Sequence, residues 1–192
     1  MATADVRMEA TVRCNDGAVL GRVWAMLLAK RERDYYLTHL LVEGGAYRRD
    51  ALLPFELVAV SSGQELLLRV GQEQALARAE SDTPEDSIPM RRNDPVYAVD
   101  ARLGQLRGLY VDEKGKISDL LINDEVARLL SMTSIRSVDA IEPHRIDIGS
   151  RIGAMGELLK PPQAFYEPVE LRGEEEMLHG VHGSPGSHGQ HG

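Results

Sequence analysis

Cysteine is nearly absent from the 192-residue chain, and the single Cys14 leaves no partner for an internal disulfide and no all-cysteine zinc site. No apolar run approaches the roughly 20 residues of a membrane helix, because charges interrupt every candidate stretch. Met1–Glu9 carries Asp5, Arg7 and Glu9 in place of an apolar core, so it does not read as a secretory signal. Glycine-rich phosphate cradles are also missing: there is no Gly-x-Gly-x-x-Gly and no Gly-Lys-Ser/Thr. These absences lead to the expectation of a soluble, cytoplasmic protein with no membrane span.

A basic excess is lacking too. The chain has 22 Lys+Arg against 30 Asp+Glu, a formal net charge of −8. Residues 1–71 carry 9 of each sign, while residues 161–192 carry 1 basic and 5 acidic side chains, which places half of the net charge in the C-terminal segment. Phosphate-backbone recognition normally shows as basic residues clustered on a face or along a helix. The small clusters Lys30–Arg31–Arg33, Arg48–Arg49 and Arg91–Arg92 each have acids close by, so nucleic acid is an unfavoured partner.

What is present is a repeat. Ala18-Val-Leu-Gly-Arg-Val-Trp-Ala-Met-Leu-Leu28 lies over Ala101-Arg-Leu-Gly-Gln-Leu-Arg-Gly-Leu-Tyr-Val111, sharing Gly21 and Gly104. His39-Leu-Leu-Val42 then lies over Asp119-Leu-Leu-Ile122, Val58 over Val138, and Gly71 over Gly149, in the same order. A tandem duplication accounts for this.

Each copy has the periodicity of strands. Val12 and Cys14 alternate with polar residues before a turn at Asn15-Asp16-Gly17, and Leu20–Leu28 follows as a second strand. Lys30–Asp34 is a hairpin tip, Tyr35–Glu43 a third strand, and Ala51–Val60 and Glu65–Val70 two more. In the second copy Asp112-Glu-Lys-Gly115 is the clearest hairpin turn, with Ile117–Ile122 returning, and Asp124–Leu130 reads as a helical turn. Five short strands in so few residues suit a small barrel, whose closure removes exposed edges. Between the copies, Gln72–Glu80 has helical propensity and Ser81–Ser87 is a polar linker. Beyond Pro161-Pro162 the chain turns acidic and then Gly/His-rich, a composition that builds no core.

The segments Asp16-Gly-Ala-Val-Leu-Gly-Arg-Val, Leu40-Leu-Val and Leu53-Pro-Phe-Glu-Leu-Val resemble the PRC-barrel, the small β-barrel of the photosynthetic reaction-centre H subunit and of ribosome maturation factors. Val96–Asp112 with Ile117-Ser-Asp-Leu-Leu-Ile resembles the same module, departing from it where Ser134 stands opposite Pro54. The resemblance implies an all-β chain of two tandem barrels: residues 8–71, a helix and linker at 72–92, residues 93–160, and a disordered tail at 161–192. It also implies a binding or assembly module like the stand-alone bacterial PRC-barrel proteins rather than an enzyme, with an RNA- or ribosome-associated role as the alternative.

Candidate chemistry is sparse. Gly21 and Gly104 read as bends needed for barrel closure rather than ligand approaches. His39 and His144 each lack a second His, a Cys or a paired carboxylate nearby in sequence, and Cys14 reads as a small buried strand residue. Asp100, Asp112, Asp119 and Asp124 fall in or beside turns, as on a solvated barrel rim. No catalytic residue is assigned. The aromatics gather in the first copy, and adjacent Tyr35 and Tyr36 must point to opposite faces of a strand. Tyr35, Tyr36, Arg48 and Arg49 are therefore the candidate contact residues for a protein partner, and small barrels gain further burial by homodimerising. His179, His182, His188 and His191 form two His-x-x-His pairs that suit weak zinc or nickel binding as a third reading of the tail; no cofactor is otherwise expected.

Overall fold

The computed structural model describes residues 4–44, 50–125 and 128–152, and the backbone of 169–170. Strand β1 (Ala4–Arg13) buries Val6, Met8, Ala10 and Val12 at alternate positions. It turns through Asn15-Asp16-Gly17 into β2 (Val19–Arg31), with Gly17 at φ +87° and the Cys14 amide donating to the Ala18 carbonyl at 2.8 Å. Then come β3 (Asp34–Glu43), β4 (Ala51–Pro54), a 3-10 turn (Phe55–Leu57), β5 (Val58–Ser61), β6 (Gly63–Leu68) and the short helix α1 (Gln72–Ala77). Strands β7 (Ile88–Arg91), β8 (Pro95–Tyr97), β9 (Arg102–Val111), β10 (Ile117–Asp124) and β11 (Leu129–Ser134) follow. A second 3-10 turn (Ile135–Ser137), β12 (Val138–Glu142), β13 (Arg145–Ile148) and β14 (Val169–Glu170) complete the described elements. The protein is mostly β, in one curled sheet.

The pairing order β5-β6-β1-β2-β3-β4 recurs as β12-β13-β8-β9-β10-β11, down to the parallel contacts of β1 with β6 and of β8 with β13. Gly21 and Gly104 explain themselves at this level. A Cβ on either would overlap a backbone carbonyl of the third strand in its own set, that of Glu43 or of Asn123, and Gly21 also sits at φ +152°. They are close-approach glycines within the sheet. The two starting turns are tied down alike: Asp16 Oδ2 accepts from the Gln72 amide at 2.8 Å, and Asp100 Oδ1 from the Ile152 amide at 2.9 Å.

The two strand sets are joined by an exchange. Thr11–Arg13 of β1 pairs with the start of β2, but Ala4–Arg7 pairs with Gly108–Val111 of β9. Reciprocally, Ala25–Leu28 of β2 pairs with β7. The chain changes partner at a left-handed residue in each case, Glu9 (φ +68°) within β1 and Asn93 (φ +68°) between β7 and β8. An ion pair between Glu9 and Arg92 bridges the two crossing points. The apolar side chains of both sets form one buried cluster that includes Val6, Met26, Leu40, Leu106 and Leu120.

Several expectations change. The strand expected over Ala51–Val60 is broken by the Phe55–Leu57 turn, because Pro54 has no amide to continue a ladder, and the turn buries both Phe55 and Leu57. Ser134 enters the second 3-10 turn with nearly the same backbone (φ −65°, ψ 138° against −56°, 133°), its hydroxyl accepting from the Arg136 amide. The helical turn expected over Asp124–Leu130 is instead a hairpin pairing Asp124 with Leu129 and Asn123 with Leu130; strand pairing overrides the propensity of Leu and Ala. The helix expected to reach Glu80 ends at Ala77. Residues 72–92 contain strand β7, and the first strand starts at Ala4, ahead of the expected boundary at residue 8. Within the segment expected to be a disordered tail, Val169–Glu170 pairs with Val60–Ser61 of β5. Among the described residues no helix is long and apolar enough to cross a membrane.

Gly21→Ala and Gly104→Ala should each destabilise the fold by about 2–4 kcal/mol, since the neighbouring backbone must move. Gly44→Ala, at φ +63° with nothing within 4 Å of the added carbon, should cost only about 1 kcal/mol. Urea unfolding of the three variants measures the contrast.

Candidate functional site

The strand exchange fixes where the second set's first hairpin lands. With Val111 held opposite Ala4, the turn Asp112–Lys116 is carried against the outer end of β3. The Asp112 carboxylate accepts from the Lys114 and Lys116 amides at 2.8 and 2.9 Å and closes that turn. The Leu37 amide donates to the Gly115 carbonyl at 2.7 Å, and Lys116 Nζ lies 2.7 Å from Asp34 Oδ2, a hydrogen bond that raises the lysine pKa. A Cβ at Gly115 would run into the Leu37 carbonyl and come within 3.1 Å of the Phe55 ring, so only glycine at φ +81° permits this approach.

Between this turn, β3, the Pro54–Glu56 corner and the connection from Glu80 to Ser87 lies a cleft of about 620 Å³. Ala29, Pro54 and Pro84 supply its accessible apolar surface, above the buried Leu37 and Phe55. Tyr36 lines it, with the Arg31 guanidinium 4.9 Å from its ring centroid. Thr38 and His39 continue the wall: Thr38 Oγ1 donates to the Leu27 carbonyl at 3.0 Å, and His39 Nδ1 lies 3.0 Å from that hydroxyl oxygen. His39 Nε2 lies 3.1 Å from Glu80 Oε1. The imidazole is thus clamped from both sides. Because the Thr38 proton is committed to Leu27, the hydroxyl is a brace for the ring.

Tyr35 and Tyr36 do point to opposite faces. Tyr35 is only 6% exposed and belongs to the core, so it has no surface to offer a partner, while Tyr36 reaches the cleft. Arg48 and Arg49 lie outside the described residues, as do His179, His182, His188 and His191. Both central histidines have carboxylate partners distant in sequence: Glu80 beside His39, and Asp94, whose Oδ2 is 3.2 Å from His144 Nδ1 and accepts from the Arg91 amide at 2.6 Å. Cys14 is buried, and burial raises its thiol pKa, which disfavours the thiolate. Glu80, Asp86 and Glu113 of the cleft carried no local signal in the sequence, since three separate segments converge on it.

A second polar cluster sits at the strand exchange itself. Asp5 lies opposite Tyr110, is 6% exposed, and receives the Arg7 Nε–H at 2.7 Å on Oδ2. Its carbonyl accepts from the Ser61 hydroxyl, while Oδ1 is buried without a hydrogen-bond partner. Burial raises the Asp5 pKa and Arg7 opposes that rise; the Tyr110 phenol is raised by burial and by the Asp5 charge.

Against known proteins, no family model matches the chain and no curated protein matches it.

Removing the guanidinium should expose the cost of burying Asp5. Arg7→Met should destabilise by about 2 kcal/mol near neutral pH, because the carboxylate loses its counter-charge. An aspartate whose folded pKa stands above its unfolded value loses stability as pH rises through the folded pKa, so the deficit should shrink on acidification towards pH ~4. Urea unfolding of wild type and variant across that range checks the sign.

Proposed function

We propose that this protein is a non-enzymatic protein-interaction module built from two PRC-barrel-like units. The repeated strand order and the paired close-approach glycines support the two-unit reading. The observation that carries the functional reading is the cleft where the units meet, with its apolar surface, an accessible aromatic and a rim of charge. Such a mixture is the anatomy of a contact site, in which a buried aromatic anchors and polar groups around it set orientation. Tyr36 is the anchor, while Tyr35, packed in the core, takes no part in the contact.

A photo-crosslinking amino acid at position 36 of the full chain, compared with one at the exposed Glu142, tests this reading. Position 36 should give a discrete protein adduct that survives RNase, and position 142 should not. Tyr36→Ala should weaken capture of that partner by about tenfold or more. Adducts lost on RNase treatment would favour the RNA-associated alternative instead.

A further inference from the structure

The charge of the cleft specifies its partner more closely. Four carboxylates line it, Glu56, Glu80, Asp86 and Glu113, against two permanent cations, Arg31 and Lys114. Arg31 is stacked on Tyr36, and Glu80 is paired with His39. Stacking leaves Arg31 charged, so the lining carries four carboxylates against two permanent cations and is net negative, with Glu56, Asp86 and Glu113 the carboxylates outside the His39 contact. These carboxylates stand beside Ala29, Pro54 and Pro84, so an occupant meets apolar contact and negative potential together. The volume falls in the range of about 300–1,000 Å³ typical of ligand-binding clefts.

We propose that the cleft receives an extended segment of a partner protein carrying Lys or Arg next to aliphatic side chains. The inference rests on the cleft being a protein-binding site, as proposed above. Charge complementarity selects this occupant over the alternatives. The chain's own C-terminal segment, with 5 acidic and 1 basic residue over 161–192, has the wrong sign, and so do a second copy at net charge −8 and a phosphate backbone. The basic side chain reaches Asp86 and Glu56, its aliphatic neighbours cover Pro54 and Pro84, and Tyr36 packs along the segment's flank.

The test uses the full-length protein and three fluorescein-labelled octapeptides sharing one Leu/Val frame and differing at two positions, Lys, Gln or Glu. Fluorescence anisotropy should rank them Lys, Gln, Glu, with about tenfold between Lys and Gln at low salt and a smaller ratio as salt rises. The double variant Glu56→Gln/Asp86→Asn alters only exposed side chains, and its fold is checked by thermal unfolding. It should bring the Lys peptide down to the Gln peptide's affinity and leave the Gln peptide unchanged. Equal binding of all three peptides would overturn the charge inference and leave the cleft standing as a docking site. No binding by any of them overturns it as well; a persisting adduct at position 36 would then preserve the cleft reading, and loss of that adduct would remove both.

Discussion

The reciprocal pairing of Ala4–Arg7 with Gly108–Val111 and of Ile88–Arg91 with Ala25–Leu28 is the constraint from which the rest of the molecule follows. Each set of strands gives half of its first strand to the other. Without that exchange the apolar runs Ala25–Leu28 and Leu109–Val111 would each have an open side; with it, all of these residues are buried. The direction in which β9 leaves the exchange then decides where its hairpin goes, and the contact of Gly115 with Leu37 closes the cleft around Tyr36.

The two pairings are alike in backbone and unlike in chemistry. One is mostly apolar, facing Met26 with Met90 and Leu28 with Ile88, with Arg91 opposite Ala25 at its end. The other places Asp5 opposite Tyr110 and Arg7 opposite Gly108. There a Cβ on residue 108 would stand 2.6 Å from the Val6 carbonyl oxygen, so the glycine is demanded by the closeness of the strands. A slip of one residue would turn Val6 outward and carry the Asp5–Arg7 pair into the apolar core, a cost that fixes the register. The apolar pairing binds through area, and the ionic one resists misalignment.

Much of this was legible in the sequence where the signal is local. The alternation in β1, the Asp-Gly turn, the Lys30–Asp34 tip and the Asp112–Gly115 turn all announce hairpins, and Gly21 and Gly104 stand out by their shared place in the repeat. The opposed faces of Tyr35 and Tyr36 follow from strand geometry alone. What was not legible depends on distant partners. Ile88-Pro-Met-Arg looks like linker because it is short and holds a proline, yet it is a strand because β2 supplies a partner. Glu80 and Asp94 become the neighbours of His39 and His144 across 41 and 50 intervening steps of chain. The cleft draws on β3, the Pro54 corner, the connection after α1 and the Asp112 turn, and no sequence pattern encodes that convergence.

The exchange itself is open to direct observation by NMR on the full chain. Nuclear Overhauser contacts between Val6 and Leu109, and between Met26 and Met90, report the two crossed pairings separately. The account predicts both sets in the same sample, together with a contact between Tyr36 of β3 and Lys116 of the Asp112 turn. Absence of the Val6–Leu109 and Met26–Met90 contacts, with Ala4–Arg7 found against another strand, would contradict it.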